Sequence, residues 1–377
     1  MTRQIMPTFT AVIALLALTG CANTGMAGAD TLTQTAETGS NIAVLAPLSG
    51  AGATYGKPFV AGMQMAIDEA NGDHGPNRTR MRLIVEDTKL DPKTSLDAVQ
   101  KLLAFDDPDL FSVMFAPPML AVSPVLDAGK KPFIYEAYIR SPLKSSYAFK
   151  ANFDALTGCE SLIRYAKEHG KYNHLGVLMA QAEYSDLCIQ GIKRVEPDIK
   201  EYRYNVGETD FKTLLMKAYN DGTDSLVMIG FDFEYTAMFS QLSEIGYPLK
   251  ILCMTSSECI IPAVIKTASI ETLEGTLSID FVPQNISATS FGKKYAERFG
   301  AASPTDLAYS AIGYEEGMII EQAVMACKPK DTECLKSSLE KVRGYESVIG
   351  SDGFEDRVLK VNTQVYEYRN GTWERVD

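Results

Sequence analysis

The run Ile42-Ala43-Val44-Leu45-Ala46 is apolar at every position and is followed at once by the turn residues Pro47-Leu48-Ser49-Gly50. From Phe59 to Asn71, apolar residues then recur at helical spacing. A buried strand, a turn and a helix form the unit from which parallel sheets are built, because each helix covers the sheet beside its strand. This stretch therefore predicts an α/β fold.

The same unit recurs along the chain. Met81–Val85 is the next predicted strand, Pro92–Phe105 is the next helix, and a second series runs from Cys159 to Met254. Two series predict two doubly wound parallel-sheet lobes, each covered by helices on both faces. Ligands of such sheets lie beyond the carboxyl ends of the strands. A site is therefore expected at the turns Pro47–Gly56 and Ala116–Pro118.

The composition narrows the class of protein. The chain has 377 residues, of which 46% are hydrophobic and 22% charged, and its formal net charge is −12. This length fits two domains, and the acidic balance excludes a nucleic-acid partner, which needs dense Lys and Arg. Three histidines without ligand-like spacing predict no metal site. The turn Gly50–Lys57 is like a phosphate loop, but Pro58 stands where that loop needs Ser or Thr, so no nucleotide cofactor is expected.

The first residues predict export. Residues 1–20 hold one charge, Arg3, and an apolar run from Phe9 to Leu18 that is too short to span a membrane. Leu18-Thr19-Gly20-Cys21 resembles the bacterial lipoprotein box, so residues 1–20 are predicted to be a lipoprotein signal peptide and Cys21 the lipidated residue. The alternative is an ordinary export signal with a coincidental cysteine. Residues 21–40, rich in Thr, Ala and Gly, are expected to be a flexible tether. The protein would then be anchored in a membrane of the periplasm or cell surface.

Six cysteines remain after Cys21, and an even number in an exported protein suggests disulfides. Their spacing favours the pairs Cys159–Cys188, Cys253–Cys259 and Cys327–Cys334. The alternative is that some of them are buried free thiols.

A set of short motifs resembles one family. They include Pro47-Leu48-Ser49-Gly50, Glu86-Asp87, Tyr184-Ser185-Asp186, Gly230-Phe231-Asp232-Phe233-Glu234 and the ending Val365-Tyr366-Glu367-Tyr368. Their order, from Ile42 to Val376, is similar to that of the type I periplasmic binding proteins, in the branch that binds leucine, isoleucine and valine. The resemblance implies two lobes joined by three hinge crossings, with lobe 1 at residues 41–151 and 284–349 and lobe 2 at residues 152–283 and 350–377. A ligand would be trapped between the lobes.

The resemblance also implies site residues. Tyr55 and Tyr184 match aromatic residues of the cleft, and Glu234 matches a carboxylate that faces the ligand ammonium. Phe231 and Asp232 share the Glu234 loop and would flank it. The alternatives are that Tyr55 packs on its own turn, that the start of the helix after Tyr184 is merely capped, and that Glu234 is a solvated surface acid.

One motif departs from the family. Relatives bind the ligand carboxylate with a hydroxyl-bearing loop after the third strand, but here that loop reads Phe115-Ala116-Pro117-Pro118-Met119-Leu120, and two prolines remove two N–H donors. The next loop has larger side chains than relatives have, Glu136, Tyr138 and Arg140. Arg140 or Glu136 would contact the ligand, or else form a salt bridge between lobes. The ligand is therefore expected to be cationic or polyhydroxylated, without an α-carboxylate anchored at this loop.

The resemblance implies a monomeric, non-enzymatic receptor that delivers a small polar ligand to an ABC permease of the inner membrane. Two alternatives stay open. One is a lipoprotein that regulates cell-wall synthesis, as the penicillin-binding-protein activators do, and the other is a ligand sensor of a two-component system. An enzyme is not expected, because no nucleophile–histidine spacing is present.

Overall fold

The computed structural model describes residues 39–50, 52–72, 79–169 and 172–377. The predicted signal peptide, the predicted lipidation site Cys21 and most of the predicted tether lie outside these residues. The tether was expected to end at residue 40, which is wrong by two residues. Gly39 and Ser40 already pair with Arg80 and Met81 as the first residues of a parallel strand.

The described strands are β1 (Gly39–Ala46), β2 (Arg80–Asp87), β3 (Leu110–Met114), β4 (Phe133–Glu136), β5 (Ala148–Lys150), β6 (Leu175–Ala180), β7 (Lys200–Tyr204), β8 (Ser225–Ile229), β9 (Lys250–Cys253), β10 (Leu277–Asp280), β11 (Ser351–Glu355), β12 (Val358–Val361), β13 (Gln364–Arg369) and β14 (Thr372–Arg375). They form two seven-stranded sheets, in the order β11-β12-β5-β4-β3-β1-β2 and β14-β13-β10-β9-β8-β6-β7. Both sheets are parallel at their centres and antiparallel at the edge that holds the last strands.

The described helices are α1 (Ala53–Gly72), α2 (Pro92–Phe105), α3 (Ala116–Ala128), α4 (Ala155–Glu168), α5 (Glu183–Lys193), α6 (Lys212–Asn220), α7 (Asp232–Ile245), α8 (Ser256–Cys259), α9 (Pro262–Thr267), α10 (Ile270–Leu273), α11 (Ser290–Phe299), α12 (Pro304–Met325) and α13 (Thr332–Leu339). Short 3₁₀ helices lie at Ser141–Lys144 and Ile286–Ala288. We call the first sheet with its helices lobe 1 and the second sheet with its helices lobe 2. No helix among the described residues is both long and apolar enough to cross a membrane.

The chain crosses between the two sheets three times, and the third crossing differs from the expectation. Residues 350–377 were expected in lobe 2, which is wrong for residues 351–361. Asp356 and Arg357 have positive φ angles and reverse the chain between β11 and β12, and Val358 pairs with Lys150 of β5. The Arg357 guanidinium donates to the Leu143 and Ala148 carbonyls. These contacts bind the hairpin to the first sheet, so the chain crosses between β12 and β13.

The helices α1 and α12 pack against each other unusually closely on lobe 1. A Cβ atom on Gly62 would lie 1.9 Å from the Ser310 carbonyl oxygen, and one on Gly313 would lie 2.0 Å from that of Phe59. Only glycine permits this approach. The helix α12 begins with a capping box, in which Ser303 and Asp306 bond each other's backbone N–H groups. This crossing sets the position of the tyrosines at the start of each helix.

All three expected disulfides are present. Cys159–Cys188 joins α4 to α5, Cys253–Cys259 closes the loop between β9 and α8, and Cys327–Cys334 joins the end of α12 to α13. The pairing predicted from spacing is confirmed.

Candidate functional site

A cavity of about 150 Å³ lies between the lobes, beyond the carboxyl ends of the strands. Lobe 1 lines it with Thr54, Tyr55, Ser303 and Thr305. Lobe 2 lines it with Asp232, Glu258, Ile261 and Pro262. The cavity therefore joins both sheets at the place where a ligand of this architecture is expected.

The lobe 1 wall is aromatic. The ring of Tyr55 lies 4.8 Å from that of Tyr309 and 5.7 Å from that of Phe115, measured between centroids. Phe115 has a φ of 69°, a strained value for a residue with a side chain, and this conformation places its ring against Tyr55. The Tyr55 hydroxyl is buried beside Asp232, yet it has no hydrogen bond of good geometry to any described group. Burial, with Glu258 and Asp232 nearby, raises the pKa of Tyr55.

Glu258 is the central carboxylate of the site. It stands in α8, inside the loop that Cys253–Cys259 closes, and it is buried. Two hydroxyls of lobe 1 donate to its Oε1, that of Tyr138 at 3.4 Å and that of Tyr309. Burial raises the pKa of Glu258 to about 7, and the Tyr309 hydrogen bond opposes the rise. The sequence analysis missed this residue, and its only local signal is its position in a disulfide loop directly after a buried strand.

Of the other lobe 2 residues named from the resemblance, Asp232 belongs to the cavity lining, whereas Phe231 and Tyr184 lie outside it. Asp232 lines the cavity, and its Oδ1 accepts a hydrogen bond from the Phe233 N–H at 2.8 Å. The ring of Phe231 meets that of Tyr184 edge to face at 5.7 Å. The Tyr184 hydroxyl is buried near Ser185 and makes no hydrogen bond of good geometry to any described group. Burial raises the pKa of Tyr184, and the Glu234 charge adds to the rise.

Glu234 is fully buried and already occupied. Its Oε2 accepts from the Tyr204 hydroxyl at 3.0 Å and from the Phe231 N–H at 2.9 Å, and its Oε1 accepts from the Gly207 N–H at 2.9 Å. The carboxylate thus fixes the start of α7 to the loop after β7. It stabilises the interior of lobe 2 and does not line the cavity.

Glu136 also lies outside the cavity lining. It stands at the end of β4, buried beside Glu316 of α12, and Lys150 is close by. Burial and the Glu316 charge raise the pKa of Glu136, whereas Lys150 lowers it. Burial also raises the pKa of Glu316, to about 8. This acid pair is part of the interior of lobe 1.

Arg140 connects the lobes, which is one of the two roles that the sequence left open. Its guanidinium pairs with Asp154, the N-cap residue of α4 in lobe 2. The backbone N–H groups of Arg140 and Ser141 both donate to Oε1 of Glu183 at 3.0 Å. Of the sequence-predicted residues, the structure therefore brings Tyr55, Tyr138 and Asp232 together around Glu258.

The departure at the third strand has a clear structural form. Ala116, Pro117 and Pro118 are the first residues of α3, and the Met119 N–H is bonded to the Phe115 carbonyl. Of the N–H groups that a helix start leaves free, two are missing because of proline. This helix start offers little to a ligand carboxylate.

The fold and the cleft define a class of protein. The sequence model of the family described as periplasmic binding protein matches residues 40–372, so the chain belongs to the periplasmic binding protein family. Proteins of this family are extracytoplasmic receptors that bind solutes and are not enzymes. The expected family, the two-lobed fold and the absence of an enzymatic role are confirmed by this match.

Solved structures show the same fold. A leucine-binding protein, LivK, of Thermotoga maritima is 18% identical with a TM-score of 0.77, covering 90% of this chain and 98% of that one. LivJ of Streptococcus pneumoniae, in complex with isoleucine, is 19% identical with a TM-score of 0.75, covering 90% and 99%. A solute-binding protein of Rhodopseudomonas palustris, in complex with 4-hydroxybenzoate, is 16% identical with a TM-score of 0.77, covering 90% and 96%. A search of curated proteins found no match.

Proposed function

We propose that this protein is a lipoprotein receptor that captures a small polar ligand between its lobes and delivers it to an ABC permease. The observation that carries the proposal is the cavity of about 150 Å³ to which both lobes contribute polar side chains. One water molecule takes up about 30 Å³. The cavity therefore has room for a ligand of several non-hydrogen atoms.

The contacts between lobes support capture by closure. Glu258 and Glu183 of lobe 2 accept hydrogen bonds from Tyr138, Tyr309 and Ser141 of lobe 1. Arg140 adds an ion pair to Asp154. Such contacts form only when the lobes are together, so they stabilise a closed state that a bound ligand would complete.

Ligand binding is tested by closure. Purified protein is screened against amino acids, amines, polyols and aromatic acids, while the melting temperature and the radius of gyration from X-ray scattering are measured. We expect at least one compound to raise the first and lower the second, because a ligand that binds only the folded, closed state stabilises it. The variant Tyr55→Ala should lose the response and Tyr219→Ala, on the surface of lobe 2, should keep it. If both quantities stay fixed with every compound, capture is excluded and the cell-wall regulator becomes the better proposal.

The anchor and the permease have their own test. Cells expressing the chain are fed an alkyne-tagged fatty acid, and we expect the label on the wild type and not on Cys21→Ser. If the wild type is not labelled, lipidation is contradicted and residues 1–20 are better explained as an ordinary export signal. Uptake of the identified ligand by membrane vesicles that contain the candidate permease should depend on added receptor, and uptake that is independent of it would remove the transport role.

A further inference from the structure

We propose that the cavity binds a cation, a primary ammonium or a related organic cation, held by Asp232 and Glu258 of lobe 2 against the hydroxyl and ring of Tyr55. This inference rests on the proposed function and names its ligand class. It differs from amino-acid recognition, because it assigns no partner to a ligand carboxylate.

The charge of the cavity is the first argument. Asp232 and Glu258 both line it, and none of its lining residues, all of them in the described part of the chain, is Lys, Arg or His. Glu258 is 7% exposed. A buried carboxylate without a cation is costly, and an ammonium that bonds it restores what desolvation removed. Two carboxylates at one small cavity therefore favour a positively charged occupant.

The Tyr55 hydroxyl is the second, independent argument. Tyr55 is 5% exposed and lines the cavity, and its hydroxyl, beside Asp232, makes no hydrogen bond of good geometry to any described group. Buried hydroxyls are nearly always bonded. An ammonium has three donors, so it could bond Asp232, Glu258 and the Tyr55 oxygen together. The rings of Tyr55 and Tyr309 would add an aromatic face to the same cation.

The helix starts at the cleft are the third argument, because they are the usual places for a ligand anion. Each of three begins with its own carboxylates: α5 with Glu183 and Asp186, α7 with Asp232 and Glu234, and α12 with Asp306. The start of α3 has lost donors to Pro117 and Pro118. The start of α1 uses the N–H groups of Ala53 and Tyr55 to bond the Gly50 and Gly52 carbonyls. At these helix starts a ligand carboxylate would therefore find N–H groups that are already bonded or missing, and carboxylates that repel it.

The experiment separates charge from shape. Calorimetry is run with four compounds that share or approximate one branched skeleton: valine, isobutylamine, isovalerate and isobutanol. Choline and agmatine are added as larger cations. We expect at least one cation to bind at least tenfold more tightly than valine, isovalerate and isobutanol. Tighter binding of valine or isovalerate than of every cation would overturn the inference and leave the proposed function intact. Binding of none of the compounds would also overturn it, and the closure screen then decides whether the proposed function survives.

Variants assign the cation to its carboxylates. Glu258→Gln and Asp232→Asn keep the size of each side chain and remove its charge, and we expect each to weaken cation binding by tenfold or more. Asp186→Asn removes a carboxylate of the same lobe that is half exposed and paired with Arg203, and binding should change less than twofold. Melting curves confirm that the variants fold. If Glu258→Gln does not fold, Asp232→Asn alone decides, and unchanged affinity in the folded variants contradicts the assignment.

Discussion

Ser141 of lobe 1 donates two hydrogen bonds to Glu183 of lobe 2, from its N–H at 3.0 Å and from its hydroxyl at 2.8 Å. Glu183 stands in the first turn of α5, so its charge also stabilises that helix start. The pair is a rim contact of the closed cleft, well apart in sequence and outside the cavity lining.

The first prediction concerns this rim. Glu183→Ala should weaken ligand binding by about three- to tenfold, because partly exposed hydrogen bonds to a charge contribute on the order of 1 kcal/mol. Glu183→Gln keeps one acceptor oxygen, so its affinity should lie between that of the wild type and that of Glu183→Ala. The loss should appear mainly as faster dissociation in stopped-flow measurements. Unchanged dissociation in Glu183→Ala would show that the contact does not hold the closed state.

The second prediction concerns pH. Burial raises the pKa of Glu258 to about 7, and a bound cation needs its ionised form. Affinity should level off about one pH unit above this pKa and fall as the pH is lowered through 7, by up to about tenfold per pH unit. The charged and titratable groups near Glu258 include two carboxylates and five tyrosines: Asp232, Asp280, Tyr55, Tyr138, Tyr184, Tyr235 and Tyr309. Calorimetry from pH 5.5 to 8 measures the slope, which Glu258→Gln should abolish. Equal affinity at both ends in the wild type would contradict the prediction.

The third prediction concerns stability. The pKa values of Glu136 and Glu316 are raised in the folded protein. The stabilisation of the folded state by these two protonated acids is therefore complete below the unfolded pKa of about 4.5. It is lost as the pH rises toward 8. Glu316→Gln should flatten the decline of the unfolding free energy between pH 5 and 7, by about 1 kcal/mol or more. Urea unfolding measures this, with Glu340→Gln on the surface as the control. The window ends at pH 7 because burial lowers the pKa of Lys150 to about 7, which acts in the opposite direction above it.

The fourth prediction distinguishes a residue that stabilises lobe 2, Glu234, from one that binds the ligand, Asp232. Glu234→Ala leaves the Tyr204 hydroxyl and the Gly207 N–H without their partner, so the melting temperature should drop by several degrees, for a loss of about 3 kcal/mol. Asp232→Asn should lower affinity with little change in melting. If Glu234→Ala instead keeps its stability and loses only affinity, Glu234 is a ligand contact after all.

The fifth prediction concerns the loop that holds Glu258. Replacing Cys253 and Cys259 by Ser should reduce the free energy of ligand binding more than the free energy of unfolding. The bridge spans a sequence separation of 6, against 29 for Cys159–Cys188, and a short loop gains about 1 kcal/mol less from its bridge. Paired measurements of melting and calorimetry on the two double variants test this. A larger stability loss at Cys253–Cys259 than at Cys159–Cys188 would contradict it.

Sequence reasoning reached the parts of the fold that have a local signal. The apolar run at Ile42–Ala46 forms a fully buried strand that lies between β3 and the edge strand β2. The hairpin of β11 and β12 was placed in the wrong lobe because Ser351–Glu355 is short and polar, and its place depends on Arg357, which contacts carbonyls more than two hundred residues earlier.

The sequence predicted that tyrosines and carboxylates line the site, but it did not predict which carboxylates do so. Glu234 and Glu258 both follow buried strands. They differ because Tyr204 and Gly207 reach Glu234 from a neighbouring strand and its loop, whereas tyrosines of the opposite lobe reach Glu258. Such differences arise from tertiary contacts, which no local pattern carries.

The close crossing of α1 and α12 has a consequence for how the protein is made. The two helices come from opposite ends of the chain, and Tyr55 gains its neighbour Tyr309 only when they meet. Contacts between such distant segments form slowly, because a long loop must close first. During export the N-terminal part of lobe 1 therefore cannot pack against α12 until almost all of the chain has emerged, and its apolar surface stays partly uncovered. In that interval the half-finished lobe is the part of the protein that most needs a chaperone.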